Sequence, residues 1–226
     1  MQATSEQIDI RPPAGIEAVK PSLRGVSHQF AFFFAIVAAV LLVRAAPPGA
    51  PSLAATAFGV SLVTLFGVSA LYHRKSWSDV ARMRMRRLDH SAIFVLIAGG
   101  YTPLFTVLPG ESHGALIGVW VGAAIGVAKS LAWPKAPKWV TALLAVGLGW
   151  LASGEVFARA SSLSTATIGL LVSSGAVYSL GALVYAKRRP DPRPLVFGYH
   201  EVFHALVIVA SILLCAHVAL VLRMAS

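Results

Sequence analysis

Residues 200–222 read HEVFHALVIVASILLCAHVALVL, a run that is long and apolar enough to cross a lipid bilayer as one α-helix. Six more apolar runs of similar length precede it, separated by short breaks such as Pro47-Pro48-Gly49. The predicted spans cover about 28–46, 52–72, 90–108, 114–133, 138–158, 165–186 and 200–222. A bilayer accepts helices or closed barrels, and these runs are too long and too apolar for barrel strands. The sequence therefore predicts an all-α integral membrane protein, a seven-transmembrane helix bundle.

The composition supports the same class. Of 226 residues, 57% are hydrophobic and 12% are charged, whereas a soluble domain is about one quarter charged. The mean hydropathy of +0.73 also excludes an intrinsically disordered chain. A single cysteine, Cys215, excludes a disulfide framework and a zinc site built from cysteine pairs.

The basic residues predict how the bundle lies in the membrane. Residues 1–26 are polar and are expected to form a flexible cytoplasmic tail, and residues 27–226 the seven-transmembrane-helix domain. Of the 19 Lys and Arg residues, all but Arg44, Arg159 and Arg223 fall on the side of the N-terminus. The positive-inside rule then places the N-terminus in the cytoplasm and the C-terminus outside. The net charge of +10 is accordingly assigned to contact with anionic lipid headgroups, not to nucleic acid.

Several polar residues fall at one depth of this predicted bundle. His73 ends helix 2, Asp89 opens helix 3, and His200 and His204 begin helix 7, all on the cytoplasmic side. Ser69 lies one turn deeper than His73 on the same helix face. Residues from three helices therefore converge on one membrane level, which predicts a functional site there.

The chemistry of that site is predicted to be zinc chemistry. His200 and His204 are four residues apart, so a helix presents both imidazoles on one face. Imidazole suits zinc better than magnesium, and His73 is the natural third ligand, which leaves one position for water. Asp89 is predicted to hold that water and accept its proton, and Ser69 to orient the water or a substrate carbonyl.

Simpler interpretations exist for the same residues. A histidine at a helix end is often only hydrogen-bonded, Asp89 would also cap helix 3 or pair with Arg86 or Arg87, and Ser69 would also bond between helices. Four other histidines are expected to stay outside the ligand set: His28 as a structural or supporting residue, His90, His113 and His217.

A second interpretation comes from residues 200–204, which satisfy the H-E-x-x-H pattern of zinc peptidases. In that case Glu201 would be the general base of an intramembrane protease. The pattern is short, and Asp89 already supplies a carboxylate, so the protease is the weaker hypothesis.

Three motifs in chain order resemble a known family. They are Ser69-Ala-Leu-Tyr-His73, Leu88-Asp89-His90-Ser91 leading to Ile97-Ala98-Gly99-Gly100-Tyr101-Thr102-Pro103, and Phe197-Gly198-Tyr199-His200-Glu201-Val202-Phe203-His204. Together they resemble the bacterial hemolysin III family, within the progestin and adiponectin receptor-like superfamily.

The resemblance implies a seven-helix bundle in the bacterial inner membrane with zinc near its cytoplasmic face. It carries the zinc ligands over to His73, His200 and His204, an aspartate on the zinc-bound water to Asp89, and the motif serine to Ser69. Relatives of the receptor type look like lipid amidases, whereas Glu201 is typical of the bacterial branch alone.

Three functions are therefore expected in descending order. The first is a zinc-dependent hydrolase of a lipid amide or ester, with a membrane lipid as substrate. The second is a non-enzymatic regulator of membrane state with structural zinc. The third, a pore-forming protein, rests on the family name alone.

Overall fold

The computed structural model describes residues 20–108 and 113–225. Within these ranges it consists of α1 (Val26–Ala45), α2 (Ala50–Arg74), α3 (Asp79–Val107), α4 (His113–Ala132), α5 (Lys138–Ala158), α6 (Thr165–Lys187) and α7 (Tyr199–Arg223). A single 3₁₀ turn, Ala160–Ser162, lies between α5 and α6. All seven α-helices are long and apolar enough to cross a membrane, which confirms the predicted fold class.

The short connections follow the predicted punctuation. Pro47 and Pro48 follow α1, and Gly49 precedes α2 with φ +92°, a left-handed backbone angle that glycine adopts without a steric cost. Because each connection reverses the chain direction, the N-terminus of α7 lies at the same end of the bundle as the C-terminus of α2. We call this end, which carries His73, His200 and His204, the histidine end.

The core lies around α2 and α3, the two most enclosed helices. Phe58 of α2 and Phe94 of α3 are almost completely buried. Gly126 of α4 faces Phe94 so closely that a Cβ at this position would lie 2.2 Å from the Phe94 ring. By contrast, α1 and α5 expose large apolar side chains such as Phe34 and Leu151, as expected of helices that face lipid.

Helix α3 begins much earlier than predicted. The sequence predicted a span that opens at Asp89 and His90, but the helix starts at Asp79 and includes Arg82, Arg84, Arg86 and Arg87. Arg and Met are good helix formers, and charged residues end the hydrophobic run without ending the helix. Asp89 therefore lies inside α3, and the interpretation of Asp89 as the cap of this helix is wrong.

The segment before α1 is hydrogen-bonded to the loop before α7. The amide N–H of Ser22 donates to the carbonyl of Leu195 at 3.1 Å, and that of Leu23 donates to Val196 at 3.2 Å. Of the predicted tail over residues 1–26, residues 1–19 lie outside the described part of the chain. Residues 20–25 are tied to the histidine end by these two bonds.

Candidate metal centre

The structure brings the three predicted ligands together at the histidine end. His73 is the penultimate residue of α2, whereas His200 and His204 lie in the first two turns of α7. One ring nitrogen from each residue lies within 4.8 Å of the other two. All three side chains are buried, with exposed fractions of 8%, 9% and 2%.

The spacing of the nitrogens fits a metal ion. The Nε2 atoms of His73 and His200 face each other at 3.1 Å. Two ligands of one tetrahedral zinc ion, each about 2.0–2.1 Å from the metal, lie about 3.3 Å apart. In addition, Nδ1 of His204 is buried without a hydrogen-bond partner. The donor set is therefore one that zinc prefers, and the three nitrogens, which all lie within 4.8 Å of one another, would move closer together on binding the ion.

His28 of α1 supports this cluster directly. Its ring stacks on the ring of His204 with centroids 3.8 Å apart and an interplanar angle of 11°. Its Nδ1 atom lies 2.9 Å from the hydroxyl oxygen of Ser69. His28 is thus a supporting residue, as predicted, because it contacts both His204 and Ser69.

Asp89 and Ser69 lie on opposite sides of the contact between α2 and α3. Ser69 is buried, and its hydroxyl is close enough to Asp89 to interact with the carboxylate. Asp89 also lines the same cavity as the three histidines. The residues predicted to hold and deprotonate water are therefore next to the predicted ligands.

Glu201 has a different role from the one that the peptidase pattern suggests. One of its carboxylate oxygens accepts a hydrogen bond from the Gly198 amide at 2.8 Å, and the other pairs with Arg24. The side chain is 2% exposed and is absent from the lining of the cavity. Because both oxygens are occupied, Glu201 stabilises the N-terminus of α7, and the structure argues against Glu201 as a general base.

The remaining histidines lie outside the cluster, as predicted. His90 lies 3.4 Å from the Tyr185 hydroxyl through Nε2. His217 is buried in α7, and its Nδ1 donates to the carbonyl oxygen of Thr167 at 2.9 Å. His113 is an exposed residue at the start of α4.

A cavity of about 360 Å³ opens from the histidine cluster into the bundle. Its lining on α5 runs from Lys138 to Phe157, about 28 Å of helix at 1.5 Å per residue. Most of the deeper lining is apolar, with residues such as Leu96 and Val172. The cavity is therefore long and mostly apolar.

The hydroxyl groups along the deep part of the cavity already have partners in the protein. Tyr101 donates to the Gly149 carbonyl at 2.7 Å, and Ser174 donates to the Ala210 carbonyl at 2.9 Å. The Tyr178 hydroxyl lies 2.8 Å from that of Ser211. Because these hydroxyl groups already form hydrogen bonds within the protein, a ligand in the deep cavity needs no polar group to pair with them.

A comparison with protein families shows which family the chain belongs to. A model of the family described as haemolysin-III related matches residues 16–215. The chain belongs to this family. The resemblance drawn from the three sequence motifs is thereby confirmed.

Three relatives agree with the family match. The chain is similar to the hemolysin-3 homolog of Bacillus subtilis (strain 168), with 32% identity over 161 residues, 69% of this chain and 71% of the relative. It is similar to the hemolysin-3 of Bacillus cereus, with 29% identity over 191 residues, 82% and 84% of the two chains. It is also 28% identical over 174 residues to an adiponectin receptor protein of Drosophila melanogaster, covering 69% of this chain and 39% of the receptor.

Together with the helices, these relatives locate this haemolysin-III related protein. Seven apolar helices make it an integral membrane protein that resides in a lipid bilayer, and its bacterial relatives support the inner membrane. The distant receptor match supports the progestin and adiponectin receptor-like superfamily.

Sequence reasoning missed the partners of the predicted ligands. The pairing of Arg24 with Glu201 and the stacking of His28 on His204 join α7 to the segment before α1 and to α1 itself. One signal was available: Glu201 lies three residues after Gly198, the spacing at which a carboxylate returns to the first amide of a helix. No pattern in the sequence indicates the pairing of Arg24 with Glu201 or the stacking of His28 on His204, because each contact joins residues more than 170 positions apart.

Proposed function

We propose that this haemolysin-III related protein is a zinc-dependent hydrolase that cleaves an amide or ester bond in a membrane lipid. The observation that supports it is that three buried histidines and one carboxylate share the head of a long apolar cavity. A lipid chain fits the deep part of this cavity, which leaves the polar part of the lipid at the histidines.

Zinc held by His73, His200 and His204 would supply a Lewis acid that polarises a carbonyl and makes a bound water more acidic. The three nitrogens leave room for a further ligand, which is typical of catalytic and not of closed structural zinc sites.

The protein groups around the histidines have separate tasks in this proposal. The Asp89 carboxylate accepts a proton from the attacking water, whose oxygen bonds to the carbonyl carbon of the lipid. Asp89 then returns a proton to the nitrogen or oxygen of the leaving group as the bond to the carbonyl carbon breaks. Ser69 orients the Asp89 carboxylate, and His28 in turn fixes the Ser69 hydroxyl.

The test compares two acidic residues of α3 in purified protein reconstituted into nanodiscs. Lipids with isotope-labelled acyl chains in amide or ester linkage are supplied, and released fatty acid is measured by mass spectrometry. We expect turnover by the wild type, a loss of about 100-fold or more in Asp89→Asn because a general base is removed, and no change in Asp79→Asn. Asp79 is an exposed residue at the start of the same helix, outside the cavity.

Equal rates in Asp89→Asn and wild type, with metal and fold retained, would refute the role of Asp89.

A second function is favoured by one observation, which is that the cluster joins the end of α2 to the start of α7. If metal removal lowers the melting temperature and no lipid is cleaved, the metal is structural and the protein is a non-enzymatic membrane regulator.

A further inference from the structure

The mouth of the cavity at the histidine end carries three cations. Arg24, Arg86 and Lys138 all contribute to its lining. Arg24 pairs with Glu201. Within residues 20–108 and 113–225, neither Arg86 nor Lys138 has a carboxylate within ion-pair distance.

Lys138 is held in the mouth by two aromatic rings. Its ammonium lies 4.6 Å from the centroid of the Tyr185 ring and 4.4 Å from that of Tyr199, and it donates a hydrogen bond to the Tyr199 hydroxyl. A lysine at a membrane surface ordinarily extends toward water. Here cation–π contacts on two sides fix the charge at the cavity, so little conformational entropy would be lost when an anion binds.

The same two rings connect Lys138 to the metal cluster. The ring of His200 lies 5.9 Å from that of Tyr185 and 6.0 Å from that of Tyr199. The ammonium is therefore separated from a predicted metal ligand by a single aromatic ring. If Lys138 binds one group of a ligand, the ligand atoms a few bonds from that group would lie at the histidines.

Two further features favour an anion at this position. Lys138 is the first residue of α5, and no side chain caps that helix, so its N-terminal dipole adds positive potential. Arg86 is half-buried on α3, one turn before Asp89 and His90, and a guanidinium binds phosphate oxygens in pairs.

We propose that Lys138 and Arg86 bind the phosphate of a phospholipid whose acyl linkage then lies at the histidine cluster. The proposal rests on the proposed function for the bond that is cleaved, and it narrows the substrate to lipids with a phosphate headgroup. The phosphate lies a few bonds from the acyl esters of such a lipid, which matches the placement of Lys138 one ring away from His200.

The experiment measures lipid binding in detergent by native mass spectrometry, so it requires no turnover. Dioleoylphosphatidylglycerol is compared with dioleoylglycerol, which has the same acyl chains and no phosphate. The variants are Lys138→Gln, Arg86→Gln and, as a matched control, Lys135→Gln. Lys135 is exposed three residues away and lies outside the cavity.

We expect Lys138→Gln and Arg86→Gln each to weaken phosphatidylglycerol binding by about tenfold or more, because each removes a charge-assisted contact to phosphate. Lys135→Gln should bind it like the wild type, dioleoylglycerol binding should be equal in all variants, and Lys138→Arg should restore most of the affinity. The restoration shows that the loss does not come from misfolding.

Three results would overturn the proposal. An equal loss in Lys135→Gln would mean that general surface charge attracts the lipid. Displacement of the lipid by millimolar inorganic phosphate would identify a free anion as the ligand. Equal affinity of the wild type for the two lipids would mean that the phosphate is not recognised. By contrast, selective phospholipid binding without hydrolysis would refute the proposed function and leave this headgroup site in place.

Discussion

Replacing Arg24 with Met removes the cation that pairs with the buried Glu201 carboxylate. Glu201 is 2% exposed and would retain one hydrogen bond, from the Gly198 amide. Removal of one partner from a buried ion pair costs about 3–5 kcal/mol, because it leaves an uncompensated charge. Since Arg24 is 20% exposed, water replaces part of the lost interaction, and we expect a value near the lower limit.

The Glu201→Gln variant should be less damaging. Its amide oxygen can still accept from the Gly198 N–H, so the main loss is the charge-assisted bond to Arg24, worth about 1.5–3 kcal/mol. In Arg24→Met with Glu201→Gln neither position carries a charge, so no unpaired charge is left there. We therefore expect the double variant to be more stable than Arg24→Met alone.

These three variants and the wild type form a double-mutant cycle, which is measured through the apparent melting temperature of purified protein in detergent. Each kcal/mol corresponds to about 2–4 °C for a chain of this length. Arg24→Met should accordingly melt at least about 6 °C below the wild type. Arg74→Met, an exposed arginine at the same end of the bundle, should melt within about 2 °C of it. Simple addition of the two single effects in the double variant would refute the reasoning, because it would show that Arg24 and Glu201 are not coupled.

Two further predictions address packing and orientation. Gly126→Ala should destabilise the protein by about 1–3 kcal/mol because its Cβ would meet the buried Phe94 ring. Gly118→Ala on the same helix, which faces open space, should melt like the wild type. Equal melting temperatures for the two variants would contradict the close packing of α3 and α4. In a background without the native cysteine, Ser162→Cys between α5 and α6 should react with an impermeant maleimide added outside intact cells, and Ser76→Cys between α2 and α3 should not. The reverse pattern would place the N-terminus outside.

The positions of the helices were largely predictable from the sequence, and the start of α3 was not. A run of apolar residues identifies the part of a helix that lies in hydrocarbon, so the predicted ends of α5 agree with the observed Lys138–Ala158. Beyond the hydrocarbon, hydropathy carries no signal about helicity. For this reason the sequence did not predict that α3 also includes the strongly basic segment of eleven residues from Asp79 to Asp89.

The candidate site, too, could be predicted from the sequence only in part. His200 and His204 lie on one face of α7 because of their spacing, and His73 joins them because α2 ends where α7 begins. The contact of Lys138 with Tyr185 and Tyr199 joins three helices. Such contacts depend on how the helices rotate and pack against one another, and local spacing does not specify that.

The metal content of gently purified protein tests the central claim, that His73, His200 and His204 hold one metal ion. Inductively coupled plasma mass spectrometry is applied to the wild type, to His204→Ala and to His113→Ala, whose histidine is exposed at the start of α4. We expect about one zinc per chain in the wild type and in His113→Ala, and almost none in His204→Ala. A wild type without zinc, or a His204→Ala variant that retains it, would contradict the three-histidine metal centre.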